Sequence, residues 1–198
     1  MTSPEGEKPS PQGRFVVTPV RSLTSLVAAH PRALQSLFHA GTLAEPSEVG
    51  EAPGARLQSI ADGTNLFFGL RGAIRLVSSL LSPKAWTGKV FDHGGNSGRD
   101  VFFGKKLFRF HTEVGPSLFD GQPALILSYR EPGYHNPWPF RSIRNELRMV
   151  GQGIALGPSL VERAGAPTVL FWFGLQAKGK SAKATAGHVT NGASPAQH

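Results

Sequence analysis

The chain has 198 residues, of which 39% are hydrophobic and 17% charged, enough apolar material for one domain with a core and too little charge for a disordered or coiled-coil chain. It has no cysteine, which excludes a disulfide framework, a zinc–thiolate centre and a thiol nucleophile. The net charge of +8 is partly carried by Lys178, Lys180 and Lys183 in a Gly/Ala/Ser/Thr-rich tail, and the other cations are scattered, which argues against a specific nucleic-acid site.

Residues 1–13 are rich in Pro, Ser, Glu and Gly and are expected to be disordered. They lack the basic and apolar regions of a secretory signal. No stretch reaches the roughly 20 apolar residues that span a bilayer. Leu66 to Leu81 comes nearest and is broken by Arg71 and Arg75. A soluble, cytoplasmic protein is expected, of open oligomeric state.

Leu23, Leu26 and Val27, then Leu34, Leu37 and Phe38, recur at helical spacing. Pro31 between the sets predicts a short helix, a break near His30, and a second helix stopped by Gly41. Residues 42–53 read as a loop and Ala55 to Ile60 as a short strand. From Asn65 to Leu81, Leu66, Phe67, Leu70, Ile74, Val77 and Leu81 mark one face of a helix, with Thr64 as N-cap and Pro83 beyond the end.

Strands dominate from there. Lys84 to Phe91 is followed by a turn through Gly94–Ser97. Val101–Phe103 and Lys106–Thr112 read as one strand bent at Gly104, with Phe108 and Phe110 on one face and Arg109 and His111 on the other. After the Asp120-Gly121 turn, Ala124–Arg130 puts Leu125, Leu127 and Tyr129 on one side. A loop follows, EPGYHNPWPF, whose aromatics either rim a cavity or tuck back onto the sheet. Ile143–Val150 fits a strand better than a helix, and Ile154–Leu156 and Thr168–Gln176 close the series.

The fold class expected is α+β, mainly antiparallel β: one barrel or strongly curled sheet over residues 14–177, with N-terminal helices packed on it and a disordered basic tail at 178–198. Trp86-Thr87-Gly88-Lys89 opens the first clear strand after a helical lead-in. On those residues the stretch 84–177 resembles the lipocalin or wider calycin group, although that family's pattern has Gly two residues before the Trp, where this chain has Lys84. The resemblance implies a barrel-shaped domain with an apolar ligand.

Candidate binding residues are the interior aromatics and aliphatics Trp86, Phe108, Phe110, Leu125, Leu127, Val169, Phe171 and Phe173. Tyr129 and Asn145 would fix a polar end, and Trp138 would sit at the mouth. Arg144, Glu146 and Arg148 alternate with apolar residues and read as a solvated outer face with weak ion pairs, the alternative being a buried network. Were that face internal, Glu146 would be the best general base, with His111 or Tyr129 as its partner. No metal-ligand spacing, phosphate loop or nucleophile motif is present in the sequence, so no cofactor or metal is expected. The expected function is binding of a small apolar or amphipathic, lipid-like molecule. The alternatives are a cofactor-free isomerase, lyase or cyclase in the same cavity, or a structural or partner-binding module.

Overall fold

The computed structural model describes residues 20–59, 85–138, 140–163 and 166–177, with backbone alone for 51–59 and 163. The expected helix at Asn65–Leu81 and both expected disordered ends lie outside the described residues. Among the described residues, no helix is long and apolar enough to cross a membrane.

The N-terminal segment folds as its punctuation dictates. α1 spans Thr24–Val27 and α2 spans Pro31–Ala40. His30 is extended, and its Nδ1 accepts the backbone N–H of Arg32 at 3.2 Å. Pro31 sits at the first helical position, where its missing N–H has no intrahelical acceptor to lose. Leu34 and Phe38, one turn apart, are fully buried and pack with Leu26 against Ala124, Ile154, Leu156 and Trp172. The Phe38 and Trp172 rings meet edge to face at 5.7 Å.

Residues 42–53 are more ordered than a loop. β1, Thr42–Leu43, pairs with Met149 and Arg148, α3 covers Pro46–Val49, and β2 already begins at Glu51 and runs to Ser59. Gly50, at φ +56°, makes the reversal between α3 and β2.

The remaining strands are β3 (Trp86–Phe91), β4 (Ser97–Phe102), β5 (Lys105–Pro116), β6 (Pro123–Ser128), β7 (Ile143–Gly151), β8 (Ile154–Arg163) and β9 (Ala166–Gln176). All pairings are antiparallel, in the order β1-β7-β6-β5-β4-β3-β2-β9-β8, and β7 also pairs with β8. The sheet therefore curls until its pairing returns on itself through β2. That strand gives Glu51–Pro53 to β3 and Gly54–Ser59 to β9. Mainly antiparallel strands in a strongly curled sheet, with a few short helices, make this the expected α+β class.

Two details depart from the sequence reading. β4 and β5 are not one bent strand but a hairpin whose two turn residues, Phe103 and Gly104, lie at φ +49° and +76°. A two-residue turn with both φ positive matches the twist of the strands it joins. β8 does not stop at Leu156 but continues through Gly157 and Pro158 to Arg163, paired along its length with β9.

The curled sheet has an inner and an outer apolar cluster. Inside lie Trp86, Phe91, Phe102, Phe110, Leu125, Leu127, Tyr129, Phe140, Ile143, Leu147, Phe171 and Phe173, drawn from most strands. Outside, the helices cover Trp172, Leu156 and Ile154, and Val169 packs in that outer group rather than in the inner wall expected for it.

The outer face of β7 is not solvated either. Glu146 is fully buried, accepting from the Ser117 hydroxyl, from the backbone N–H of Leu118 at 2.8 Å and from Arg144 Nε at 2.8 Å. Arg148 is 1% exposed and makes two bonds to the Asp120 carboxylate at 2.6 and 2.7 Å. It also donates to the carbonyls of Phe38, Gln122 and Pro123. The buried network holds because α2 and the segment 117–123 close over charges that are fully bonded.

Candidate functional site

The inner cluster is aromatic, yet an ion pair stands in the middle of it. Lys89 on β3 and Asp100 on β4 have side chains 2% and 7% exposed, with Nζ 2.6 Å from Oδ1. A register irregularity between Trp86 and Gly88 turns both Trp86 and Lys89 inward. Asp100 faces the same interior as Phe102, two residues along its strand.

Four further bonds complete the group. Trp86 Nε1 donates to Asp100 Oδ1 at 2.8 Å, and the Tyr129 hydroxyl donates to Asp100 Oδ2 at 2.6 Å. The Tyr129 oxygen in turn accepts from Lys89 Nζ at 2.6 Å and from Asn145 Nδ2 at 3.1 Å. The carboxylate thus collects three donors, and the phenol is both donor and acceptor. Around the ammonium stand the rings of Phe110, Phe173, Tyr129 and Trp86, with centroids 5.1 to 5.7 Å away, a cation–π environment on several sides.

Burial dominates the protonation behaviour here. It pulls the Lys89 ammonium below its ordinary value of 10.5, against the charge and hydrogen bond of Asp100. It pushes the Tyr129 hydroxyl well above 10, helped by the charge of Asp100 and opposed by the bond from Asn145. The group is therefore an amine whose charged form is disfavoured, beside a phenol that stays protonated and a carboxylate that touches both.

Lys89, Asp100 and Tyr129 share the wall of an interior cavity with Trp86, Asn145 and Ser159, and rings of Phe102, Phe140, Phe171 and Phe173. The space open to the centre of a water molecule is about 20 Å³, enough for one water. Two buried atoms on that wall, Asn145 Oδ1 and Ser159 Oγ, have no hydrogen-bond partner among the described residues. An unpaired buried polar atom costs on the order of 1–3 kcal/mol, so two on one cavity wall mark a place where a polar guest is stabilising.

The structure brings five of the eleven expected binding residues to this cavity. Trp86, Tyr129, Asn145, Phe171 and Phe173 line it. Phe110 stands beside it over Lys89. Leu125 and Leu127 are buried in the inner cluster but do not reach the void. Phe108 is half-buried, stacked on Phe140 with centroids 3.8 Å apart. Trp138 is 49% exposed and lines no part of the cavity. Phe140, from the same loop, is the residue that reaches inside, while Tyr134 lies against the Arg109 guanidinium at 4.7 Å.

The acid–base pair expected of Glu146 with His111 or Tyr129 is not brought together at the cavity. Tyr129 faces the cavity, Glu146 follows Asn145 on β7 and points to the opposite face, and His111 follows the inward Phe110 on β5. The residues that sequence reasoning missed are Lys89, Asp100 and Ser159. A signal for two of them was present: Lys89 alternates with Phe91 and Asp100 with Phe102, both large buried apolar residues.

No protein-family model matches this chain, and no curated protein matches it. Among solved structures, the chain is similar to a protein from Thermomonospora curvata, with 14% sequence identity and a TM-score of 0.44, over 78% of this chain and 92% of that one.

Proposed function

We propose that the protein binds a small amphipathic, lipid-like molecule in the interior of its curled sheet. The observation that carries this reading is the pair of unpartnered buried atoms, Asn145 Oδ1 and Ser159 Oγ, on one cavity wall otherwise built of aromatic rings. Asn145 Oδ1 offers an acceptor and the Ser159 hydroxyl offers both a donor and an acceptor. Their complement is a head group that donates once and accepts once, such as a hydroxyl. The apolar body would lie among Phe102, Phe140 and Phe171. A space that holds one water cannot take that body as it stands, so a ring has to move aside. Phe140 is the candidate, since it comes from a short helical turn in the loop and not from a strand.

The test is a titration of medium- and long-chain alcohols and fatty acids followed by Trp emission, since Trp86 lies in the cavity wall. A saturable response is expected, weakened up to about tenfold by Ser159→Ala, the loss of one well-made hydrogen bond. Ser159→Ala should leave stability unchanged or slightly raised, because it removes an unpartnered hydroxyl. A flat titration with every amphipath would overturn the reading and leave a solid interior suited to a structural module.

A further inference from the structure

We propose that Lys89 is a carbonyl-reactive lysine, whose amine condenses with a small aldehyde in the interior cavity to form an imine. The proposal shares with the binding reading the premise that the cavity admits small molecules, and adds a covalent step and a substrate class.

A buried ion pair is a weak source of stability compared with well-packed apolar residues. Lys89 and Asp100 are nevertheless placed among aromatic rings, on the wall of a void and not inside solid packing. A lysine amine becomes a nucleophile when its surroundings disfavour the ammonium and a base takes its proton. Both conditions are met at one atom. Nζ is enclosed by four rings and sits 2.6 Å from a carboxylate oxygen and 2.6 Å from a phenol oxygen. The phenol donates to the other oxygen of the same carboxylate at 2.6 Å. Proton donor and acceptor are thus linked in a closed triangle around the amine.

The step balances with these groups alone. The Lys89 ammonium passes a proton to Asp100, and the freed lone pair attacks the carbonyl carbon. The C–N bond forms as the C=O π pair moves to oxygen. That oxygen takes the proton back from Asp100 through the Tyr129 hydroxyl, giving a carbinolamine. Asp100 then removes a second proton from nitrogen and delivers it by the same route to the hydroxyl, which leaves as water while the nitrogen pair closes C=N. One aldehyde and one ammonium become one protonated imine and one water. Asp100 and Tyr129 end unchanged, and Asp100 is the counter-ion of the new cation. The aldehyde enters as the binding reading requires, by a ring moving aside, and the Asn145 and Ser159 atoms on the same wall can then bond the released water.

The experiment uses the full chain with acetaldehyde and cyanoborohydride at pH 7, which traps imines as stable secondary amines, followed by peptide mapping. Lys105 and Lys106 are exposed and serve as internal references. Alkylation at Lys89 is expected to outrun both clearly, because burial disfavours its ammonium while Asp100 and Tyr129 stand within 2.6 Å of Nζ to move its proton. The label at that peptide should vanish in Lys89→Met, and the wild-type map decides the matter if that variant does not fold. Alkylation of Lys105 and Lys106 with Lys89 untouched, or reaction at Lys89 only in urea, would refute the proposal. The amphipath titration is read separately. A saturable titration with an unreactive Lys89 removes the imine and keeps the binding reading, and a reactive Lys89 with a flat titration does the reverse.

Discussion

The Asp120–Arg148 pair on the outer face gives the sharpest quantitative expectation. Asp120 is about nine-tenths covered, and the two Arg148 bonds, with help from His39 and the backbone N–H of Gln122, hold its carboxyl down from 3.8 to about 2. That fall makes the ionised carboxylate worth roughly 2 kcal/mol to the folded state. Because the folded value lies below the unfolded one, the contribution is fully present above about pH 4 and is lost as pH falls through about 2. The perturbation is Asp120→Asn, which keeps the size but removes the charge beside a guanidinium that is 1% exposed. Urea unfolding followed by Trp emission is the assay; Trp172 packs on Phe38 and Phe119, next to the pair. At pH 7 the variant should lose at least about 2 kcal/mol, and more if Arg148 is left wholly uncompensated, since a broken buried pair costs roughly 3–5 kcal/mol. The gap between wild type and variant should narrow steadily between pH 4 and pH 2. A gap that stays constant down to pH 2 would mean that the carboxylate is not held below its ordinary range, and the argument from Arg148 would fail.

Three other expectations concern the interior pair and the fold. Lys89→Met alone leaves Asp100 buried without its cation and should cost roughly 3–5 kcal/mol. Adding Asp100→Asn should recover part of that loss, and strictly additive losses in a double-mutant cycle would refute a coupled pair. Gly157→Ala would place a Cβ 1.6 Å from the Glu146 carbonyl oxygen, forcing β7 and β8 apart, so a loss of about 3 kcal/mol or more is expected in the same unfolding assay. Gly133→Ala, with nothing within 4 Å of the added atom, should stay within about 0.5 kcal/mol.

The elements legible in the sequence are those whose local chemistry and tertiary setting agree. The Pro31 start and Gly41 stop of α2, and the Leu125/Leu127/Tyr129 face beside β6, depend on rules that operate within a few residues. The alternation of Arg144, Glu146 and Arg148 was equally visible, but alternation says only that one face differs from the other. It cannot say whether the charged face meets water or a helix, and here α2 and the segment 117–123 cover it. Lys89 and Asp100 are illegible as a pair for a related reason. A lone charge in a strand is normally outward, and only the pairing of β3 with β4 shows that each supplies the other's counter-charge. The hairpin at Phe103-Gly104 is not legible in the sequence because a bulky residue at positive φ is uncommon. How far the interior is filled depends on how rings from distant strands interlock, and no spacing along one chain records that.

The way β2 closes the sheet has a consequence for traffic through its wall. Among the described residues, β2 meets β3 through only Glu51–Val90, Ala52–Lys89 and Pro53–Gly88, whereas β8 and β9 are zipped from Ile154 to Arg163. Local opening begins where few backbone bonds hold two segments together. Breathing of the short β2–β3 seam would bare the main chain at Lys89 itself. This short stitch thus runs beside the buried amine, and a molecule could slip inward there without the rest of the wall coming undone.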